Sequence, residues 1–276
     1  MSVRCATIIG GNGFIGRALK AHLMQQGWAV WEPSRAQRWP ETSRSLGHVF
    51  YCAGLTSDYL KRPADTVLAH VSLLSAVLQS TSYTSLVYLS STRVYDSLPE
   101  GGVAFEDTPL IVNPGCARQL YDLTKLTGEA VCHALGGGRA RVARLSCVYA
   151  GPSDSEGFLP RLLGKILGAE MDASVIIDSS PSYTRDYVHL TDVLRALVDI
   201  AVRGKHATYN VASGHNVSNA QLAAQVKSIT GRAIEFLNSQ YAPEPAVVSI
   251  ERLVADFGWY PVQVDQQMKA TLGVAT

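Results

Sequence analysis

Ala6-Thr7-Ile8-Ile9-Gly10-Gly11-Asn12-Gly13-Phe14-Ile15-Gly16 is the stretch that decides the fold. An apolar strand runs straight into glycines at 10, 13 and 16 and then into a helix. The glycines remove side chains where the backbone must turn tightly and where it must approach a pyrophosphate. The helix that follows aims its first N–H groups and the positive end of its dipole at that anion. The reading is a dinucleotide cradle in which Gly10, Gly13, Phe14, Ile15 and Gly16 meet the cofactor.

Strand-like runs at Val3 to Ile9, Trp28 to Trp31, Val49 to Cys52, Leu86 to Ser90 and Val142 to Leu145 alternate with helical stretches. That is the βαβ rhythm of a doubly wound parallel sheet. Helices are predicted over Phe14 to Gln26, stopped by Gly27, over Ala64 to Gln79, behind Pro63, and over Tyr121 to Leu135, stopped by Gly136-Gly137-Gly138. The predicted class is α/β, with a Rossmann parallel sheet over residues 1–149. Past Gly151-Pro152 the rhythm weakens, and residues 150–276 are assigned to a smaller C-terminal α/β substrate-binding domain. A helix at His189 to Val202 and a strand at Tyr209 to Val211 predict a return to the first sheet over about residues 187–214.

With 276 residues, 47% of them hydrophobic, the chain is long enough to bury a large core. Net charge is +1, from 24 basic and 23 acidic residues, so no field of one sign points to nucleic acid or a membrane surface. No apolar run approaches the roughly 20 residues of a spanning helix. The N-terminus enters a strand at once instead of a signal peptide, and a cytoplasmic location is expected. Cys5, Cys52, Cys116, Cys132 and Cys147 are odd in number and form no close pair. They read as reduced thiols, and no metal site is expected.

In such a sheet a ligand lies at the carboxyl ends of the strands. The fourth strand ends in Leu89-Ser90-Ser91-Thr92, and the next long helix carries Tyr121 and, one turn on, Lys125 on the same face. A free phenol ionises near pH 10 and is a poor acid or base at neutrality. A neighbouring ammonium favours the phenolate, and a serine hydroxyl can hold a carbonyl or alcohol oxygen beside it. Together they can pass a proton while a nicotinamide passes a hydride.

Taken with Ala53-Gly54, Ser90-Ser91-Thr92-Arg93-Val94-Tyr95, Arg144-Leu145-Ser146-Cys147-Val148-Tyr149, Arg185-Asp186-Tyr187-Val188-His189 and Phe257-Gly258-Trp259-x-Pro261, these motifs resemble the extended short-chain dehydrogenase/reductases, especially their nucleotide-sugar epimerases, dehydratases and ketoreductases. The resemblance implies Ser91 as the catalytic hydroxyl and Tyr121 as acid/base. It implies Lys125 as the residue that tunes Tyr121 and binds the nicotinamide ribose, Ala53 and Gly54 beside the cofactor, and Arg185 on the substrate diphosphate. A homodimer is expected, through Ala64 to Gln79 and Tyr121 to Leu135.

The departures carry the specificity. Where NAD-using members close strand two with an acidic residue, Trp31-Glu32-Pro33-Ser34-Arg35 aligns Ser34 and Arg35, a hydroxyl and a guanidinium suited to a 2′-phosphate. NADP is therefore expected, with NAD held by Glu32 as the alternative. Thr92 and Arg93 replace the acidic pair of the dehydratases, which argues against 4,6-dehydration. Both are placed in the substrate pocket, with Cys147 where many members have asparagine, and with Arg161, on a later helix, as a substitute phosphate contact. Tyr95 and Tyr149 are expected to line the site, while His189 and Asp192 are expected to pack and cap.

The expected function is an NADPH-dependent reductase of a 4-keto nucleotide sugar. An NAD-dependent C4 epimerase of nucleotide sugars is the alternative, and a non-catalytic NAD(P)-binding regulatory protein the third reading.

Overall fold

The computed structural model describes residues 3–34, 45–80, 82–152, 157–168 and 174–273. The first half runs β1 (Cys5–Ile9), α1 (Phe14–Gln25), β2 (Ala29–Trp31), β3 (His48–Tyr51), α2 (Pro63–Val67), a π-helical turn (Leu68–Ser72), α3 (Leu73–Ser80), β4 (Ser85–Ser91), β5 (Val103–Ala104) and α4 (Leu120–Leu135). After β6 (Ala140–Leu145) and β7 (Cys147–Tyr149) come α5 (Phe158–Gly168), β8 (Val175–Ile177), β9 (Thr184–His189), α6 (Leu190–Arg203) and β10 (Thr208–Val211). The chain closes with β11 (Asn216–Ser218), α7 (Asn219–Thr230), β12 (Ile234–Phe236), β13 (Val247–Val248), α8 (Glu251–Phe257) and α9 (Val264–Gly273).

Six strands form one parallel sheet in the order β10-β6-β4-β3-β1-β2. The order reverses between β1 and β3, and at such a switch point the carboxyl ends of a doubly wound sheet leave a crevice. Helices cover both faces, so the central strands read as continuous apolar runs: Ile8, Val49, Phe50, Leu86 and Val87 are fully buried. On one face Leu19 and Leu23 of α1 and Leu197 and Ile200 of α6 pack on Ile8, Phe50 and Val87. On the other, Leu74 and Val77 of α3 and Cys132 of α4 pack on Val49, Leu86 and Val142. A separate core joins Leu159, Leu162 and Ile166 of α5 to Leu222, Val226, Met268 and Leu272.

The predicted elements are present within a residue or two, and α6 and β10 lie with the first sheet. Two features went unread. The helix behind Pro63 contains the π turn, and α8 with Trp259 also returns to the first core, although residues 150–276 had been given to the second lobe. Seven residues of α8 are too few to display a period. No helix among the described residues is long and apolar enough to cross a membrane.

One buried ion pair ties sheet to helix. Arg144 of β6 grips Glu129 of α4 bidentately, Nη2 to Oε2 at 2.6 Å and Nε to Oε1 at 3.0 Å. Ser90 donates to the same carboxylate at 2.5 Å, while Arg144 Nη1 donates to the Tyr95 hydroxyl at 2.7 Å and the Glu106 carbonyl at 3.0 Å. Removing one partner of such a pair strands a buried charge, so Glu129→Ala should destabilise the protein by about 3–5 kcal/mol. Glu129→Leu combined with Arg144→Met should cost less than Glu129→Ala alone, because neither charge stays buried. Urea unfolding followed by circular dichroism checks this, and a double variant weaker than the single would contradict it.

Candidate active site

The carboxyl ends of β1, β3, β4 and β6 open into a cavity of about 430 Å³. Gly10 turns there at φ +88°, and a Cβ on it would lie 2.6 Å from the Ala53 nitrogen. A Cβ on Gly16 would collide with the Gly10 carbonyl. The first helical bond of α1 runs from Arg17 N–H to the Gly13 carbonyl at 3.0 Å. The amides of Phe14, Ile15 and Gly16 therefore lack intrahelical acceptors, and all three residues line the cavity with Gly13 and Gly54. This side-chain-free, donor-rich cradle fits a dinucleotide pyrophosphate. Ala53 contributes backbone packed on Gly10.

Ser91 sits at the end of β4, and Tyr121 and Lys125 sit on the first turns of α4. All three line the cavity, with Tyr121 and Lys125 almost wholly buried. The Arg93 N–H donates to Ser91 Oγ at 3.2 Å, which leaves the serine proton free to point elsewhere. Burial pushes the Tyr121 phenol above its ordinary range, and the Ser91 hydroxyl and the Arg93 guanidinium oppose that rise. Burial pulls Lys125 down to about 8, against the supporting charge of Glu129.

Lys125 Nζ donates to the Leu89 carbonyl at 2.8 Å, which holds it 5.8 Å from the Tyr121 ring centre. Arg93 lies closer, 4.4 Å over the same ring, with its Nη2 donating to the Tyr59 hydroxyl at 3.4 Å. A guanidinium over an aromatic face is favourable in its own right. Of the two cations, Arg93 lies nearer the Tyr121 ring.

Thr92, Arg93, Cys147 and Arg185 line the cavity as well. Arg185, on β9, lies 4.3 Å over the Tyr183 ring and also borders an adjoining cavity of about 370 Å³. Its neighbour Asp186 accepts the N–H groups of Ser213, Gly214 and His215 at 2.8, 2.8 and 3.1 Å, which anchors the strand. The structure does not bring Arg161 here. The inner face of α5 (Leu159, Leu162, Leu163, Ile166) is committed to the second core, so Arg161 and Lys165 face a separate surface pocket with Asp178. Tyr95 lines the cavity, but Tyr149 does not; its ring packs against Tyr187 and His189. His189 caps α6 by accepting Thr191 N–H, and Asp192 accepts Val262 N–H at 2.8 Å.

At the end of β2, Ser34 is exposed, and Arg35 lies outside the described residues. The side chain found against the glycine turn is Glu32. A Cβ on Gly11 would lie 2.5 Å from its Oε1, and Lys20 of α1 pairs with its Oε2 at 2.9 Å. Glu129 and Asp186 escaped the sequence reading. Glu129 left a signal, because 121, 125 and 129 share one face of a helix. Nothing in the pattern around Asp186 marks it as a loop anchor.

Residues 6–212 match the model of the NAD dependent epimerase/dehydratase family. A dTDP-4-dehydro-6-deoxy-D-allose reductase of Streptomyces bikiniensis is 28% identical over 202 residues, 68% of this chain and 60% of that protein. A UDP-glucose 4-epimerase of Streptomyces lividans is 29% identical over 195 residues, 65% of this chain and 59% of that protein. The chain thus spans about three fifths of the length of these curated relatives. RMD from Pseudomonas aeruginosa, solved with NADPH, superposes with a TM-score of 0.74 at 23% identity, over 100% of this chain and 98% of that one. MoeE5, solved with UDP-glucose and NAD, gives 0.74 at 20% identity and 98% of both chains. These two show the shared fold. With three quarters of its length inside the family model, the chain belongs to the NAD dependent epimerase/dehydratase family.

Proposed function

We propose that the chain is an NAD(P)-dependent oxidoreductase of nucleotide-sugar metabolism, and that its reaction is the NADPH-dependent reduction of a 4-keto nucleotide sugar. The observation that carries this reading is that Ser91, Tyr121 and Lys125 share one cavity with the glycine turn. A nicotinamide bound there supplies hydride to a carbonyl carbon. Tyr121 gives its phenolic proton to the carbonyl oxygen, and Ser91 hydrogen-bonds the same oxygen. Lys125 and Arg93 favour the phenolate that remains. Lys125 also serves the nicotinamide ribose, Arg185 takes the substrate diphosphate, and Thr92 and Cys147 wall the sugar. A relative named as a 4-keto-sugar reductase supports this, as does the cation at residue 93 in place of an acid.

The second reading, an NAD-linked C4 epimerase, is favoured by Glu32. Its carboxylate stands at the end of β2, where an acid accepts the ribose hydroxyls of NAD. Ser34 and Arg35 favour the 2′-phosphate of NADP. Residues 1–149 with 187–214, to which α8 adds its packing, form the cofactor-binding part, and the remainder holds the substrate. Val67 and Leu68, 40% and 58% exposed on the α2 side, support a homodimer through these helices. The described cysteines are all free, which fits a reducing cytoplasm.

Tyr121→Phe should lower turnover by at least about 10²-fold, the ordinary worth of a positioned acid, with cofactor affinity unchanged. Retained turnover would remove Tyr121 from the chemistry. Arg35→Ala should weaken NADPH binding far more than NADH binding, and Glu32→Ala should do the reverse if NAD is the cofactor; isothermal titration separates the two, and equal losses in Arg35→Ala would sink the NADP assignment. Arg185→Ala should raise the substrate KM by roughly 10-fold or more, the loss of a charge-assisted hydrogen bond, while the cofactor Kd stays put. An unchanged KM would place the diphosphate elsewhere.

A further inference from the structure

Between α2 and α3 the chain widens into the π turn Leu68–Ser72. Such turns disturb the carbonyl ladder of a helix and recur at functional sites. Here the sheet itself completes the turn. The Tyr51 hydroxyl donates to the Ala69 carbonyl at 2.5 Å, and the Tyr88 hydroxyl donates to the His70 carbonyl at 3.3 Å. From the other side α4 closes on it at Gly128, where a Cβ would lie 2.8 Å from the His70 carbonyl. β3, β4 and α4 thus hold a distorted turn in one place.

The residue that this turn delivers is His70, which has no exposed surface. Its Nε2 accepts the Leu55 N–H at 3.2 Å, so its proton resides on Nδ1, which donates to Thr124 Oγ1 at 2.9 Å. The Thr124 hydroxyl in turn donates to the Tyr121 carbonyl at 2.9 Å. The imidazole also meets the Tyr121 ring edge-on, with centres 5.5 Å apart. Burial first and the Lys125 charge second push its pKa down to about 3, so it stays neutral at any working pH. Leu55 and Gly54 wall the cavity that holds the glycine turn.

We infer that His70 is a positioning residue that locks the loop after β3 to helix α4, its Nε2 fixing the cofactor wall at Leu55 and its Nδ1 fixing the backbone beneath Tyr121. The inference rests on the proposed cofactor site. It assigns the two nitrogens separable tasks. A neutral ring whose Nε2 is held by a backbone amide, and whose Nδ1 proton goes to a threonine hydroxyl that itself ends on a carbonyl, has no group with which to exchange a proton, so its contribution is geometric.

Two substitutions each keep half of the imidazole. His70→Gln reaches far enough to leave an acceptor for Leu55, whereas His70→Asn places an amide donor near Nδ1 for Thr124. NADPH and NADH binding, read by quenching of protein fluorescence, needs no substrate; kcat is read with a dTDP-4-keto-6-deoxyhexose. His70→Asn should raise the cofactor Kd about tenfold, the effect of one lost hydrogen bond at a buried group, with kcat at saturation little changed. His70→Gln should show the opposite split, and His70→Ala should show both losses. Equal effects of Gln and Asn on both readouts, or losses that merely follow a common fall in Tm, would overturn the inference. Failure of the unaltered protein to bind either dinucleotide would instead overturn the cofactor reading beneath it.

Discussion

The bidentate pair between Glu129 and Arg144 is the interaction on which fold and site both depend. It joins α4 to β6 where α4 crosses the sheet, and Ser90 of β4 completes the carboxylate. Burying two charges costs several kcal/mol each unless they are paired and their remaining hydrogen-bonding groups are satisfied. Tyr95, the Glu106 carbonyl and Ser90 supply that satisfaction. The network continues outward, since Tyr95 donates to Asn210 of β10 at 2.8 Å and Glu106 accepts the Asn210 N–H at 2.9 Å. One carboxylate thereby ties α4 to β4 and β6 directly and to β10 through Tyr95.

That tie matters because α4 carries both Tyr121 and Lys125. Glu129 lies two turns beyond Tyr121 on the same face, and its charge supports the ammonium of Lys125 against desolvation. Glu129 is already paired with Arg144, so the counter-charge that supports Lys125 is a shared one. Its tie to the Leu89 carbonyl keeps it at the foot of the cavity. Close approach makes this possible: at Gly128 any Cβ would strike the Tyr88 hydroxyl, so a side chain there would lift the helix and its two polar residues together.

Much of this was legible in the chain. Parallel strands buried on both faces write unbroken apolar runs, and helix stops write glycines, so the first sheet could be read nearly to the residue. The glycine turn and the Ser91, Tyr121, Lys125 order could be read because each is a local pattern whose place in the sheet follows from topology. Arg161 was misplaced because the spacing that puts a cation on a helix does not say which face the lobe buries. The π turn at His70 was invisible for a different reason: the groups that meet its carbonyls, two tyrosine hydroxyls on β3 and β4 and the close approach at Gly128 of α4, are all distant in sequence. The choice between Glu32 and Ser34-Arg35 stayed open in the sequence because β2 ends at Trp31 and spacing alone does not say which of the residues after it turns toward the glycine loop.

Arg93 bears most directly on the direction of chemistry. Its guanidinium lies over the Tyr121 ring at 4.4 Å, in the place where the dehydratases that the chain resembles carry acids. A carboxylate there would serve to remove a proton from the sugar. A guanidinium cannot, because it stays charged at any working pH. What it can do is favour the phenolate, and it does so beside a phenol that burial first, with Asp122 and Tyr59 adding to it, holds above its ordinary range. Burial and Arg93 therefore pull in opposite senses, leaving a neutral phenol at rest whose conjugate base is electrostatically supported. That combination suits an acid that must surrender its proton to an alkoxide at the moment a carbonyl is reduced. The proposed reduction uses both halves of it.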